Sequence, residues 1–317
     1  MPNEREFFSR SQEMMDCYER GDYAAALAVT ERLAAEFPAQ SARTDFWRIC
    51  LLTRLQRLDK ALQVFRSALD GGMWWSEQTL RSDPDLEPLQ GNPDFERLAV
   101  VCLERHAAAQ ADSKPALIVR EPMQATKPYP ALLSLHAMGS TAEENLPYWE
   151  HACAQGWLVA AVQSSQLVWP GAYAWSDRDK GQEEVVGQFA ELCERYPIDR
   201  SRVIVGGMSQ GGALAIRLTL NGSLPARGFL AVVPGRIEGA LLTEWAAARR
   251  EVPVRGYLVF GGKDPRQDFF RQVCETLSQY GIPYRKEDHP EVGHEFPPDF
   301  ERSLEKALNF LASNETN

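Results

Sequence analysis

No stretch of the 317 residues reaches about 18 consecutive apolar positions, so nothing in the chain predicts a transmembrane helix. Positive charge is in deficit. Lys and Arg total 34 against 44 Asp and Glu, leaving a net charge of −10. That balance argues against a general nucleic-acid binder and against adhesion to anionic membranes. The start, Met1-Pro2-Asn3-Glu4-Arg5-Glu6, lacks a basic region followed by an apolar core, so no secretory leader is expected. The six cysteines (Cys17, Cys50, Cys102, Cys153, Cys193, Cys274) include no C-x-x-C pair. Buried reduced thiols in a cytoplasmic protein are the expectation, with neither disulfides nor a zinc site. Histidine is scarce too, at five residues, which narrows any search for a catalytic base.

What is present divides into two textures. Up to about residue 110 the chain is rich in Ala, Leu, Glu and Arg and shows no β-branched run. Gly21-Asp22-Tyr23-Ala24-Ala25-Ala26-Leu27 opens a periodic stretch that closes at Phe37-Pro38. A second copy starts at Arg57-Leu58-Asp59-Lys60-Ala61-Leu62. Tyr23 and Leu58 lie 35 residues apart, as do Ala26 and Ala61. This pattern resembles the tetratricopeptide repeat, whose period is about 34 residues. Ala26 and Ala61 match its small helix-crossing positions, and Pro38 its closing proline. Arg10 departs from it, standing where a tryptophan is usual. A pair of such units cannot bury its apolar face alone, so the arm is expected to pack on the rest of the chain, on a protein partner or on a second copy. Asn92 should cap a further helix that opens at Pro93 and runs to about Ala109.

From residue 114 to residue 317 strand-length apolar runs alternate with helical stretches. Strands are predicted over 116–120, 131–135, 158–163, 203–206, 228–233, 255–260 and 284–287. Helices are predicted over 142–155, 181–196, 212–221, 266–280 and 299–311. This is an α/β pattern with a mainly parallel sheet. The domain reading is therefore a helical region over 1–110 and an α/β region over 114–317.

The most informative segment is Val203-Ile204-Val205-Gly206-Gly207-Met208-Ser209-Gln210-Gly211-Gly212-Ala213. A β-branched run meets G-x-S-x-G and a helix follows, the pattern of a nucleophile elbow. The turn is cramped, and Gly207 and Gly211 supply the small flanks. Ser209 needs a base, and the base needs an orienting acid. His106 and His151 fall on helices. His136 ends an early strand and is expected to brace a loop. His289 and His294 remain, and His294, in Val292-Gly293-His294-Glu295 before the last helix, is the favoured base. Asp264, after an apolar strand and Gly261-Gly262, suits the acid; its competing role is a cap before Pro265. The order Ser, Asp, His is the one α/β-hydrolases use. For the oxyanion, the amide of Gln210 and an amide in Leu135-His136-Ala137-Met138-Gly139 are expected, Met138 ahead of Ala137.

Residues 114–317 thus resemble the α/β-hydrolase superfamily, and within it the phospholipase/carboxylesterase and acyl-protein thioesterase branch with its dienelactone-hydrolase relatives. Gly207-Met208-Ser209-Gln210-Gly211-Gly212 is similar to the G-x-S-Q-G-G elbow of that branch. Leu135-His136-Ala137-Met138-Gly139 is similar to its L-H-G-x-G loop, with Ala137 where glycine is usual. The resemblance implies Ser209 as nucleophile, Asp264 as acid, His294 as base, and Met138 with Gln210 as donors. The long connection over 164–179 carries Trp169, Tyr173 and Trp175, which are expected to meet substrate. The activity implied is hydrolysis of a small carboxylic ester or thioester, without cofactor or metal. A peptidase or amidase on the same triad, or an interaction module with a vestigial site, are the alternatives.

Overall fold

The computed structural model describes residues 4–249 and 251–313. It forms two compact units. The first takes in the chain up to Ser113 together with Leu167–Gly171, and the second takes in Lys114–Gln166 and the chain from Ala172 onward.

The first unit is helical: α1 (Glu4–Glu19), α2 (Tyr23–Glu36), α3 (Ser41–Arg54), α4 (Leu58–Asp70), α5 (Glu77–Ser82) and α6 (Pro93–Asp112). α1 packs on α2, α2 on α3, α3 on α4 and α4 on α6. Ala26 and Ala61 are fully buried, one in each copy of the sequence pattern. Between them and α6 lies an aromatic core in which Phe65 meets Trp75 and Phe95, each at 5.7 Å between ring centroids. A side chain of this size contributes about 2–3 kcal/mol when fully buried. The Trp75 indole N–H donates to the Ala42 carbonyl at 3.0 Å, so its one polar atom is satisfied. Asn92 caps α6 by accepting from the amides of Asp94 and Phe95. Leu167–Gly171 falls outside the expected boundary because its backbone is bonded here. The Val168 carbonyl accepts from Ser76 N, and the Leu167 amide donates to the Gln110 side chain.

The second unit is built on a seven-stranded sheet. Its strands are β1 (Ala116–Arg120), β2 (Tyr129–Leu135), β3 (Leu158–Gln163), β6 (Ile198–Met208), β7 (Gly228–Val232), β8 (Arg255–Gly261) and β9 (Tyr284–His289); β4 (Gln166–Trp169) and β5 (Ala172–Ala174) are short and lie outside it. The spatial order is β1-β3-β2-β6-β7-β8-β9. Only β1 runs antiparallel, on β3; the other pairs are parallel. The helices are α7 (Ala142–Trp149), α8 (Arg178–Arg195), α9 (Gln210–Leu220), α10 (Gly239–Ala248), α11 (Gln267–Gln279) and α12 (Phe300–Ala312). β2, β3 and β7 are buried along their whole length, as strands covered on both faces must be. α12 shows how the cover works: Phe300, Leu304, Ala307, Leu308 and Leu311 share one face and are buried.

The strand order reverses at β2. From β2 the chain moves to β3 on one side and then to β6 on the other. Ligands of open parallel sheets bind beyond such a switch point, at the carboxyl ends of the strands. Leu135 stands opposite Gly207, so β2 and β6 end level with each other.

In the second unit the elements agree with the sequence reading within a residue or two at their ends, apart from β4 and β5, which lie in the connection over 164–179, and four further places. α7 ends at Trp149, and the rest of the predicted helix, Glu150–Gln155, winds as a 3-10 helix. α8 begins at Arg178 because Asp177 caps it, accepting from the amides of Asp179 and Lys180. β6 starts at Ile198, well before its β-branched run. α10 lies where no helix is predicted.

Candidate active site

The elbow is a tightly constrained turn. Ser209 sits at φ 54°, ψ −118°, a conformation few residues other than glycine adopt. It is held there from both sides: its amide donates to the Val232 carbonyl at 3.0 Å, and its carbonyl accepts from Gly235 N at 2.7 Å. Gly211 cannot be replaced without moving the backbone, since a Cβ there would lie 2.3 Å from the Leu135 carbonyl oxygen. That close approach sets the start of α9 directly against the end of β2.

Ser209, His294 and Asp264 converge. Ser209 Oγ lies 2.8 Å from His294 Nε2, and His294 Nδ1 lies 2.7 Å from Asp264 Oδ2. Ser209 therefore donates to Nε2, and the Nδ1 proton points at the carboxylate. Asp264 is buried and His294 about one-third exposed. The loops carrying the acid and the base come from neighbouring parallel strands, β8 and β9. They touch closely enough that a Cβ on Gly261 would lie 2.1 Å from the Gly293 carbonyl oxygen. Asp264 also keeps part of its capping role, accepting from the Arg266 amide at 3.0 Å. His289 stands apart from this convergence, at the end of β9, its Nε2 3.8 Å from Glu287. His106 faces the Leu167 carbonyl in the helical unit, and His151 lies 3.9 Å from Glu301.

The loop after β2 is braced by neutral groups. His136 is fully buried. Its Nε2 accepts from the Ser164 amide at 3.2 Å, so the ring proton is on Nδ1, which donates to the Ala137 carbonyl at 2.9 Å. Burial pushes this imidazole down to about 4, with the bond to Ala137 opposing. Trp175 stacks on it at 4.8 Å and donates its indole N–H to the His136 carbonyl at 2.9 Å. The Gly139 amide donates to the Tyr173 carbonyl, and the Tyr173 amide to the Ser140 carbonyl. Gln210 joins the two halves: its side chain accepts from Trp175 N at 2.9 Å, while its own amide, at the first position of α9, has no acceptor within the helix. The Met138 side chain is exposed at the tip of the same loop.

The three aromatics of the 164–179 connection have different surroundings. Trp175 is buried beneath His136. Tyr173 is half-buried beside the same ring. Trp169 lies in the segment that belongs to the helical unit, nearly buried, with the Arg43 guanidinium 5.5 Å from its ring. The same unit carries a groove of about 540 Å³ whose rim mixes Arg48, Arg57 and Lys60 with Glu31 and Asp45.

One group of metal-ligand types occurs among the described residues: Cys50, Asp83 and Asp85, in the helical unit. Protein groups already occupy it. Tyr18 donates to both Asp85 oxygens, and Asp83 accepts from the Asp85 amide. Burial, and then the two carboxylates, push the Cys50 thiol well up, which holds its proton in place.

Residues 176–314 match the phospholipase/carboxylesterase family model. This part of the chain is similar to that family. Residues 10–110 match the model of an A/B hydrolase-like N-terminal domain. The family is one of ester hydrolases, so hydrolysis of esters is the supported chemistry. An uncharacterized protein from Bacillus cereus ATCC 10987 is similar over nearly the whole length: 22% identity, 96% of this chain, 98% of that one, TM-score 0.56. The esterase PE8 is similar at 17% identity over 63% of this chain and 97% of its own, with a TM-score of 0.50. At these identities the likeness shows the α/β-hydrolase fold. No curated protein sequence matches the chain. Among the described residues no helix is long and apolar enough to cross a membrane.

Proposed function

We propose that the protein hydrolyses small carboxylic esters or thioesters through an acyl-enzyme on Ser209. The observation that carries this reading is the 2.8 Å contact between Ser209 Oγ and His294 Nε2. His294 takes the serine proton as the hydroxyl attacks the substrate carbonyl, and Asp264 stabilises the imidazolium. The Gln210 and Met138 amides receive the oxyanion; one such donor typically contributes roughly 3–4 kcal/mol to the transition state. His294 then protonates the leaving group and activates the water that frees the acid. Of the three aromatics, half-buried Tyr173 is the proposed contact for an acyl or leaving group, a choice supported by the burial of Trp175.

The test is labelling by a fluorophosphonate probe, with turnover measured on matched p-nitrophenyl esters, thioesters and aminoacyl amides. Labelling that disappears in Ser209→Ala, with esters or thioesters cleaved ahead of amides, is the expected result. Amides cleaved faster would favour a peptidase. An intact protein that takes no label would leave the site vestigial.

A further inference from the structure

The acid of the triad is not gripped by the imidazole alone. Asp264 Oδ1 accepts from Arg266 Nε at 2.8 Å and Oδ2 from Arg266 Nη2 at 2.6 Å, a two-pronged ion pair. Oδ2 is the same oxygen that faces His294 Nδ1 at 2.7 Å. Arg266 Nη2 also lies against His294 Nδ1 itself. The Asp264 side chain is entirely buried, and that of Arg266 is 19% exposed. A guanidinium fork of this geometry is pre-organised for a carboxylate, which a lysine cannot reproduce.

Resting on the Ser209 reading, we propose that Arg266 is a positioning residue that locks the Asp264 carboxylate and sets how acidic a medium the enzyme tolerates. In an ordinary triad the buried carboxylate faces one partner, and its full charge favours the imidazolium. Here a permanent cation already neutralises that carboxylate and stands beside the ring. The imidazolium gains less from Asp264 and is opposed by Arg266, so His294 stays a free base into more acidic solution. The same fork holds the carboxylate in one orientation before any proton moves.

The other charged groups nearby are accounted for. Lys263 and Glu291, on the same two loops, pair with each other at 2.9 Å. Glu287 pairs with Lys306 on α12 and lies 3.8 Å from His289. Asp268 on α11 pairs with Arg271. Glu295, next to the base, is pushed up by burial, which favours its uncharged form. On its other edge the ring's Nε2 faces the Ser209 hydroxyl.

The experiment is the pH dependence of kcat/KM for a p-nitrophenyl ester in the unaltered full chain, Arg266→Gln and Arg266→Lys, with melting recorded at each pH. In Arg266→Gln the acid limb is expected to move up by about one pH unit, as removal of a cation within about 4–6 Å implies. kcat is expected to fall about tenfold, as expected for a misplaced triad member. Arg266→Lys keeps the charge without the fork: its acid limb should stay close to that of the unaltered protein while kcat still falls. An unmoved limb in Arg266→Gln, with or without a loss of rate, overturns the proposal. If Arg266→Gln does not fold, Arg266→Met takes its place, and failure of both to fold also overturns it in favour of a purely structural ion pair. The Ser209 reading is tested separately by fluorophosphonate labelling of the unaltered protein. Absence of label ends that reading, whereas labelling with an unmoved limb ends only the role given to Arg266.

Discussion

The two walls of the site are held by opposite means. Around the loop after β2, His136, Trp175, Gln210 and the backbone of Gly139, Ser140 and Tyr173 form a network of uncharged hydrogen bonds. On the other side, Asp264 and Arg266 hold each other by charge, and His294 is hydrogen-bonded to the carboxylate. The difference follows from what each wall must do. On the proposed function, the first wall has to keep amide protons aimed at a fixed point, and a pH-independent brace does that. The second has to exchange a proton, and there only His294 changes charge, beside a fixed ion pair. One histidine is therefore buried and neutral, and the other is open to solvent.

Removing the group between the walls gives the largest effect. Ser209→Ala should lower ester turnover by roughly ten-thousandfold or more, measured as kcat under single-substrate conditions, while leaving the melting curve in place. Gly211→Ala attacks the join between β2 and the elbow. Its methyl group would meet the Leu135 carbonyl, and a loss of about 3 kcal/mol in urea unfolding is expected, with slowed fluorophosphonate labelling. A stable, fully active Gly211→Ala would show that the two halves of the site are less tightly joined than the close approach implies.

His136→Gln sharpens the contrast between the histidines. The folded state holds this imidazole unprotonated, at about 4 against 6.5 for an unperturbed ring. Its contribution to stability is thus complete above about pH 6.5 and is lost as pH falls toward 4, a change of roughly 3 kcal/mol. The variant should start less stable at neutral pH and lose less than the unaltered protein on acidification, as read by urea unfolding at the two ends of that window. Equal acid sensitivity in both proteins would remove His136 as the cause. The smallest effect lies far from either wall: Asn92→Ala should cost about 1 kcal/mol in thermal melting through the lost cap of α6, with ester turnover unchanged.

Much of this was legible because it rests on local rules. β-branched runs between helical stretches mark the strands of a parallel sheet, and β1, β3, β7 and β8 lie within a residue of the expected bounds. The elbow reads from its glycines because the close approach leaves no room for another residue. The convergence of Asp264 and His294 on Ser209 follows from chain order and from a short supply of histidines. Other features depend on contacts a sequence does not display. α10 follows Pro234-Gly235 and is rich in Ala and Leu, so it carries no sharp polar face to announce it. β4 and β5 are too short to show a period of two. The grip of Arg266 was hidden because Asp264-Pro265-Arg266 reads as an ordinary helix opening, and nothing local says that the guanidinium turns back onto the carboxylate. Trp169 and Trp175 advertise apolar surface in sequence but are spent on packing, whose partners lie far away along the chain.

The strand that leads to His294, β9, lies at the border of the sheet beside β8, and its residues are half-buried or exposed. Segments with few buried apolar contacts open locally at a smaller free energy than the core. Warming should therefore switch the protein off reversibly, by unfastening its proton acceptor, before the bulk of the molecule comes apart.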